Sequence, residues 1–318
     1  MNPIRPTHAI LMLMLLSILA LTACSQAEIY DAAIGYERRL AGLESRHLEV
    51  DDFTIAYLSN GEVIANAPTI VMIHGFGANK DHWLRMAAHL TADYNVYAID
   101  LPGHGDSSKP LDIGYSISDQ VGYLDRILRE LVLDNIHLAG NSMGGAIAAL
   151  YAATYPGNVR SATLFDPAGV LEFDSELMAR ILQGENPLIV EKPGDFEKLL
   201  DFALEKKPYV PWPIYSVMEQ RAIANQPVNE RIFADIRDSG YQPDFREALK
   251  HITAPVLIVW GREDRVINYR NAKAFQREIP QSKVVIMDDV GHAPMVEVPG
   301  QSAELMRELI EGSATNAP

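Results

Sequence analysis

The chain is poor in cysteine, in basic residues and in apolar runs of membrane-spanning length, and each shortage narrows what it can be. Cys24 is the single cysteine in 318 residues, so no intramolecular disulfide can form. Lys and Arg number 27 against 42 Asp and Glu, a formal net charge of −15. With no block of Lys and Arg, that balance argues against nucleic acid as a partner and otherwise bears on solubility. The uncharged run at residues 9–23, AILMLMLLSILALTA, has 15 residues, short of the ~20 needed to cross a bilayer. Internal repeats and low-complexity tracts are missing as well. Apolar residues, by contrast, make up 48% of the chain, enough to bury a sizeable core and to argue against disorder.

The short apolar run has the form of a signal-peptide core. Arg5 is the only formal charge before it, and it ends in Leu21-Thr22-Ala23-Cys24. That ending resembles the lipobox of bacterial lipoproteins, and the only cysteine stands where the box requires one. The resemblance implies that 1–23 is a lipoprotein signal peptide and that Cys24 becomes an acylated first residue. At about 0.8 kcal/mol per buried CH₂, two chains already anchor a protein stably. Ser25 follows rather than Asp, which by the same resemblance points to the outer membrane of a bacterial envelope. A signal anchor, or cleavage elsewhere, is the alternative. Residues 24–46 read as a polar, helix-prone leader. Ile29, Ala33, Tyr36, Leu40 and Leu43 recur at four-three spacing and form one apolar stripe. The stripe is expected to pack on the body of the protein, or else to lie on the membrane.

Beyond residue 47, strand and helix signals alternate. Short apolar runs at 69–73, 95–99, 135–139, 161–165, 255–260 and 283–287 read as buried strands. Periodic segments at 116–133, 142–155, 269–278 and 301–310 read as helices. Buried strands alternating with helices predict an α/β fold with a mostly parallel sheet flanked by helices. The alternation fails over 168–250, a charged, helix-forming stretch containing KKPYVPWPIY. This segment is expected to be an inserted helical cap, with 47–167 and 251–312 forming the core.

The chemistry concentrates at the ends of the expected strands. Gly140-Asn141-Ser142-Met143-Gly144 is a G-x-S-x-G pentapeptide, weak alone but here placed between an apolar strand and an Ala-rich helix. That is the setting of a nucleophile elbow, in which a sharp turn lifts the Ser hydroxyl above the sheet at a helix N-terminus. A serine hydroxyl needs a base to take its proton. Gly291-His292-Ala293-Pro294 places a histidine after the last expected strand, and Gly261-Arg262-Glu263-Asp264 places an acid after the strand before it. Asp166, after the strand SATLF, is a rival acid; Glu263 is adjacent to Asp264, and Asp288 and Asp289 lie close in sequence to His292. An oxyanion needs two aimed N–H donors. Met143, after the nucleophile, and Phe76, in the loop His74-Gly75-Phe76-Gly77, can offer their backbone amides. His74 is expected to support that loop, and Asp100–Ser107 to be a structural turn.

Together these motifs resemble the α/β-hydrolase superfamily over about residues 48–311, whose triads run Ser, then acid, then His. HGFGANKDHW, DLPGHGDSSKP, GNSMGGAIAALYAATYP, VGHAPMVE and the cap pieces ENPLIV and KPYVP are similar to the cold-active bacterial lipases of family V and to animal membrane-bound monoacylglycerol lipases. The resemblance implies a triad of Ser142, Asp264 and His292, an oxyanion hole of Phe76 and Met143, an acyl-enzyme, and acylglycerols or other acyl esters as substrates, with no metal and no organic cofactor. Phe173, Leu177, Leu188, Phe196, Tyr209, Trp212 and Tyr215 are candidates to line an acyl groove in the cap. GNSMGG also occurs in hydrolases that cleave carbon–carbon bonds of aromatic ring-fission products, so that activity is the alternative, together with a small-ester carboxylesterase. A binding lipoprotein without turnover is a third.

Overall fold

Eight strands form one sheet in the order β1-β2-β4-β3-β5-β6-β7-β8. They are β1 (Leu43–Val50), β2 (Phe53–Asn60), β3 (Thr69–Ile73), β4 (Asn95–Ile99), β5 (Ile136–Asn141), β6 (Val159–Phe165), β7 (Val256–Gly261) and β8 (Lys283–Met287). The computed structural model describes residues 25–239 and 243–314. β2 runs antiparallel to both β1 and β4, and every pairing from β4 to β8 is parallel. Three of the six strands read from sequence have the expected bounds, and the other three shift by a residue or two. β1 and β2 form a hairpin that the sequence reading did not separate from the leader. β1 is mostly exposed between its buried ends, and β2, although largely buried, mixes polar residues among its apolar ones, so neither shows the continuous apolar run that marks doubly covered strands.

The helices cover both faces. α1 (Gln26–Leu40) precedes the sheet, α2 (Ile117–Glu130) and α3 (Met143–Thr154) flank β5, and five helices fall between β6 and β7. These are α4 (Glu176–Leu182), α5 (Asp195–Ala203), α6 (Ile214–Ala224), α7 (Gln226–Ser239) and α8 (Pro243–Leu249); α9 (Asn271–Glu278), α10 (Pro294–Glu297) and α11 (Pro299–Ala314) follow. The insertion therefore sits where the strand–helix alternation stops. Two apolar clusters lie on opposite faces of the sheet. One includes Ile73, Ile147 and Trp260, the other Met72, Trp83 and Met306.

The leader differs from expectation in its second half. α1 begins on a capping box of Ser25 and Glu28, but Gly42, at φ +70°, ends the helical course and Leu43 opens β1. Leu43 is buried through its strand, while Tyr36 and Leu40 are exposed, so the five-residue stripe does not form one face. The buried anchor of α1 is Tyr30. Arg221 of α6 stacks 4.3 Å over its ring and pairs with Asp31 at 3.1 Å. Arg38 bonds Asp81 through two contacts of 2.7 Å. α1 is thus tied to both the inserted helices and the core. Cys24 and the apolar run before it lie outside the described residues. Among the described residues no helix is long and apolar enough to cross a membrane.

Candidate active site

Ser142 sits between β5 and α3 with φ +56° and ψ −117°, a combination a non-glycine residue adopts only under constraint. The constraint is local packing. A Cβ on Gly140 would lie 2.2 Å from the Gly144 carbonyl oxygen, and one on Gly144 would lie 2.2 Å from that of Ile73. Strand, turn and helix pass so closely that only glycine fits there. The Ser142 amide donates to the Phe165 carbonyl at 2.9 Å, and its carbonyl accepts from Ala146 at 3.1 Å and Ala168 at 3.0 Å. The elbow is therefore fastened to β6 while the Ser142 side chain is left half-buried.

His292 and Asp264 come from the loops after β8 and β7. His292 Nδ1 and Asp264 Oδ2 are 2.8 Å apart. The carboxylate also accepts from the amides of Val266 at 2.8 Å and Ile267 at 2.9 Å and from Trp260 Nε1 at 3.1 Å. An acid held by so many donors cannot turn away from the imidazole. Asp166, Asp264 and His292 hold ligand atoms within 4.8 Å of one another. The donors that surround Asp264 suit a carboxylate in a relay better than a ligand to a cation. Of the other acids weighed, Glu263, Asp288 and Asp289 are exposed, and Asp288 is engaged by Arg262. Asp166 is fully buried at the end of β6 and accepts from the Gly261 amide at 2.9 Å. Burial, reinforced by Asp264 beside it, pushes its carboxyl well above the usual carboxylate range.

Asn141 and Glu297 join these pieces, and the sequence reading singled out neither. Asn141 Nδ2 donates to the carbonyls of Phe165 at 3.2 Å and His292 at 3.0 Å. Glu297 accepts from the amides of Gly291 at 3.1 Å, Glu205 at 3.0 Å and Lys206 at 2.8 Å, and the His292 amide donates to Ala203 at 2.8 Å. The histidine loop is thus bound on one side to the residue preceding Ser142 and on the other to the inserted segment. Both residues lie inside quoted motifs, GNSMGG and VGHAPMVE. Their role depends on contacts 151 and 92 positions away, which no local pattern carries.

The loop after β3 passes directly beside Ser142, because a Cβ on Gly75 would lie 3.3 Å from Ser142 Cβ. Phe76 follows, its ring edge-on to Phe233 of α7 at 5.5 Å. Met143 is the first residue of α3 and is buried. His74 accepts from the Leu101 amide on Nε2 at 3.2 Å, so Nδ1 carries the proton and donates to the Gly75 carbonyl at 2.8 Å. Burial pushes its pKa down, leaving a neutral brace for this loop. In the Asp100–Ser107 turn, Asp100 accepts from Lys80 Nζ and from Lys80 and Asp106 amides at 2.6, 2.6 and 2.8 Å, a structural arrangement. The groove candidates divide. Tyr209 and Trp212 are 86% and 73% exposed and line no interior; the Pro-rich loop that carries them runs over the surface. Phe196 packs on Tyr215 within the inserted helices at 5.3 Å, Leu177 and Leu188 pack against the core, and Phe173 lies under Arg270.

Comparison with known proteins agrees with this architecture. Residues 68–299 match the alpha/beta hydrolase fold family. Lipase 1 of Psychrobacter immobilis is 37% identical over 277 residues, 85% of each chain. Monoacylglycerol lipase abhd6-B of Xenopus laevis is 30% identical, over 86% of this chain and 84% of its own. Among solved structures, a bacterial membrane phospholipase A described as a virulence factor is 40% identical with a TM-score of 0.89, covering 98% of this chain and 100% of its own. A 2-hydroxy-6-oxo-6-phenylhexa-2,4-dienoate hydrolase from Rhodococcus sp. strain RHA1 shares the fold at 20% identity and a TM-score of 0.71, covering 85% of this chain and 99% of its own. The chain belongs to the α/β-hydrolase fold family.

Proposed function

We propose that the protein is a membrane-anchored serine lipase or esterase that hydrolyses acylglycerols and related acyl esters. The observation that carries this reading is the His292–Asp264 pair at 2.8 Å, fastened through Asn141 to the elbow that bears Ser142. In the proposed reaction His292 takes the Ser142 proton as Oγ attacks the ester carbonyl. The Phe76 and Met143 amides receive the oxyanion. His292 then protonates the departing alcohol, water attacks the acyl-enzyme with His292 again as base, and His292 returns that proton to Ser142 Oγ as the fatty acid leaves. Asp264 orients the imidazole and stabilises its charged form. The donors are all protein groups, and no step calls for a metal or an organic cofactor.

Similarity to proteins named lipase and monoacylglycerol lipase supports the ester substrate, and similarity to a membrane phospholipase supports work at a lipid surface. Anchoring through Cys24, in a bacterial envelope and at its outer membrane, rests on the LTAC box. α1 starts one residue after the described chain begins, so an acylated Cys24 would hold the folded body close to lipid. Acyl chains of medium length are the expected preference, each methylene removed from water contributing about 0.8 kcal/mol. Carbon–carbon bond hydrolysis draws support only from the GNSMGG pattern, since the likeness to such enzymes is one of fold.

A panel of mono-, di- and triacylglycerols, short p-nitrophenyl esters and a ring-fission dienoate tests the reading on the full chain. Turnover of medium-chain monoacylglycerols is expected. Turnover of acetate esters alone would leave a small-ester carboxylesterase, and turnover of the dienoate alone would leave the carbon–carbon hydrolase.

A further inference from the structure

Asp166 has no step in the proposed relay, yet it is built into its base. It is fully buried, its backbone holds φ +47°, and its ligand atom lies within 4.8 Å of those of Asp264 and His292. The two carboxyls are provided for very differently. Asp264 receives the amides of Val266 and Ile267, the Trp260 indole N–H and the His292 imidazole. Asp166 receives only the Gly261 amide, on Oδ1, and its Oδ2 finds no donor among the described residues. An ionised oxygen left without a donor in a dry site is costly, and two adjacent buried carboxylates do not both ionise. A proton on Asp166 removes both penalties, because the side chain, which lies in hydrogen-bonding contact with Asp264, then becomes a donor to it.

We propose that Asp166 is a positioning residue that stays a neutral carboxylic acid at neutral pH and donates its carboxyl proton to Asp264, bracing the acid of the relay from beneath. This rests on the triad reading given above. The titratable groups that face Asp166 are Asp264 from the loop after β7, His292 from the loop after β8 and Glu297 from α10. Burial raises the Asp166 carboxyl most, then Asp264, while the Gly261 amide opposes and Glu297 adds to the rise. Asp264 accordingly carries the single negative charge of the pair and keeps it directed at His292 Nδ1.

The direct test is carbon NMR of the full chain labelled with aspartate carrying ¹³C in the side-chain carboxyl. One aspartate signal should stay at the neutral-acid position at pH 7 and disappear in Asp166→Asn. A wild-type spectrum in which every aspartate is ionised at pH 7 would overturn the proposal, with no variant needed. The acid limb of kcat/KM for a p-nitrophenyl ester gives a second reading. Asp166→Asn leaves the charge unchanged and keeps a donor, so the limb should stay in place and turnover should remain within a few-fold. Were Asp166 ionised, losing that charge would lower the limb by about 1–3 pH units, which contradicts the proposal. Asp166→Leu removes the donor. It should lower kcat about tenfold and move the limb upward, as Asp264 loses a donor to its anionic form. Equal behaviour of the Leu and Asn variants would also overturn it. The NMR signal is read without turnover, so failure of the triad, seen as activity surviving in Ser142→Ala, is distinguishable from failure of this proposal.

Discussion

Asn141 holds the His292 carbonyl at 3.0 Å, so the residue immediately before the candidate nucleophile fixes the loop that carries the candidate base. Asn141→Ala removes this bond and the one to Phe165 at 3.2 Å. A net hydrogen bond contributes about 1 kcal/mol, and the effect on rate exceeds that on stability because small misplacements of a base are amplified in turnover. We expect kcat to fall by about 10–100-fold with a modest shift in the urea midpoint. An unchanged kcat would show that the His292 loop is positioned by its other contacts alone.

Asp264 and Asp166 should separate cleanly. Asp264 is the acid bonded to His292, so Asp264→Asn should cost about 10⁴-fold in kcat, as the equivalent change does in a serine protease triad. Asp166→Asn should cost only a few-fold. Steady-state kinetics on both variants reads the difference, and the reverse order would move the relay to the end of β6.

Acid should destabilise the fold through buried neutral histidines. Burial lowers His137 to about 4, and its Nδ1 lies 2.8 Å from Ser161 Oγ. The folded pKa is below the unfolded value of about 6.5, so the unfolded chain takes up the proton first. The stabilising contribution is complete above about pH 6.5 and is lost as pH falls towards 4. At pH 5 the loss is about 2 kcal/mol for this one group. Urea midpoints at pH 7.5 and 5 for wild type and His137→Asn should show a smaller drop in the variant; equal drops would mean that His137 does not contribute.

Cys24→Ser should release the protein from the membrane fraction or leave it unprocessed, because the chain has no second cysteine to acylate. Mass spectrometry of the mature N-terminus decides the matter. An unmodified residue other than Cys24 at that terminus would remove the anchor from the account.

The sheet from β3 to β8 was legible because these strands carry short apolar runs, most of them largely buried, though the edge strand β8 is only partly so. β1 and β2 were not, since LESRHLEV is mostly exposed and FTIAYLSN, though largely buried, interleaves polar and apolar residues. Ser142, Asp264 and His292 were legible because each stands at a strand end marked by glycine. The dependence of His292 on Asn141 and Glu297 was hidden, because it is created by folding distant loops together. The cap aromatics misled for a related reason: KKPYVPWPIY announces apolar surface, and only tertiary placement reveals that Tyr209 and Trp212 face outward.

The central claim is that Ser142 is the nucleophile of an acyl-ester hydrolase. The most direct measurement compares monoacylglycerol turnover and fluorophosphonate labelling in wild type and Ser142→Ala, with circular dichroism as the check on folding. The account predicts turnover and a covalent adduct on Ser142 in wild type, and neither in a folded Ser142→Ala. Substantial turnover in that folded variant would contradict it.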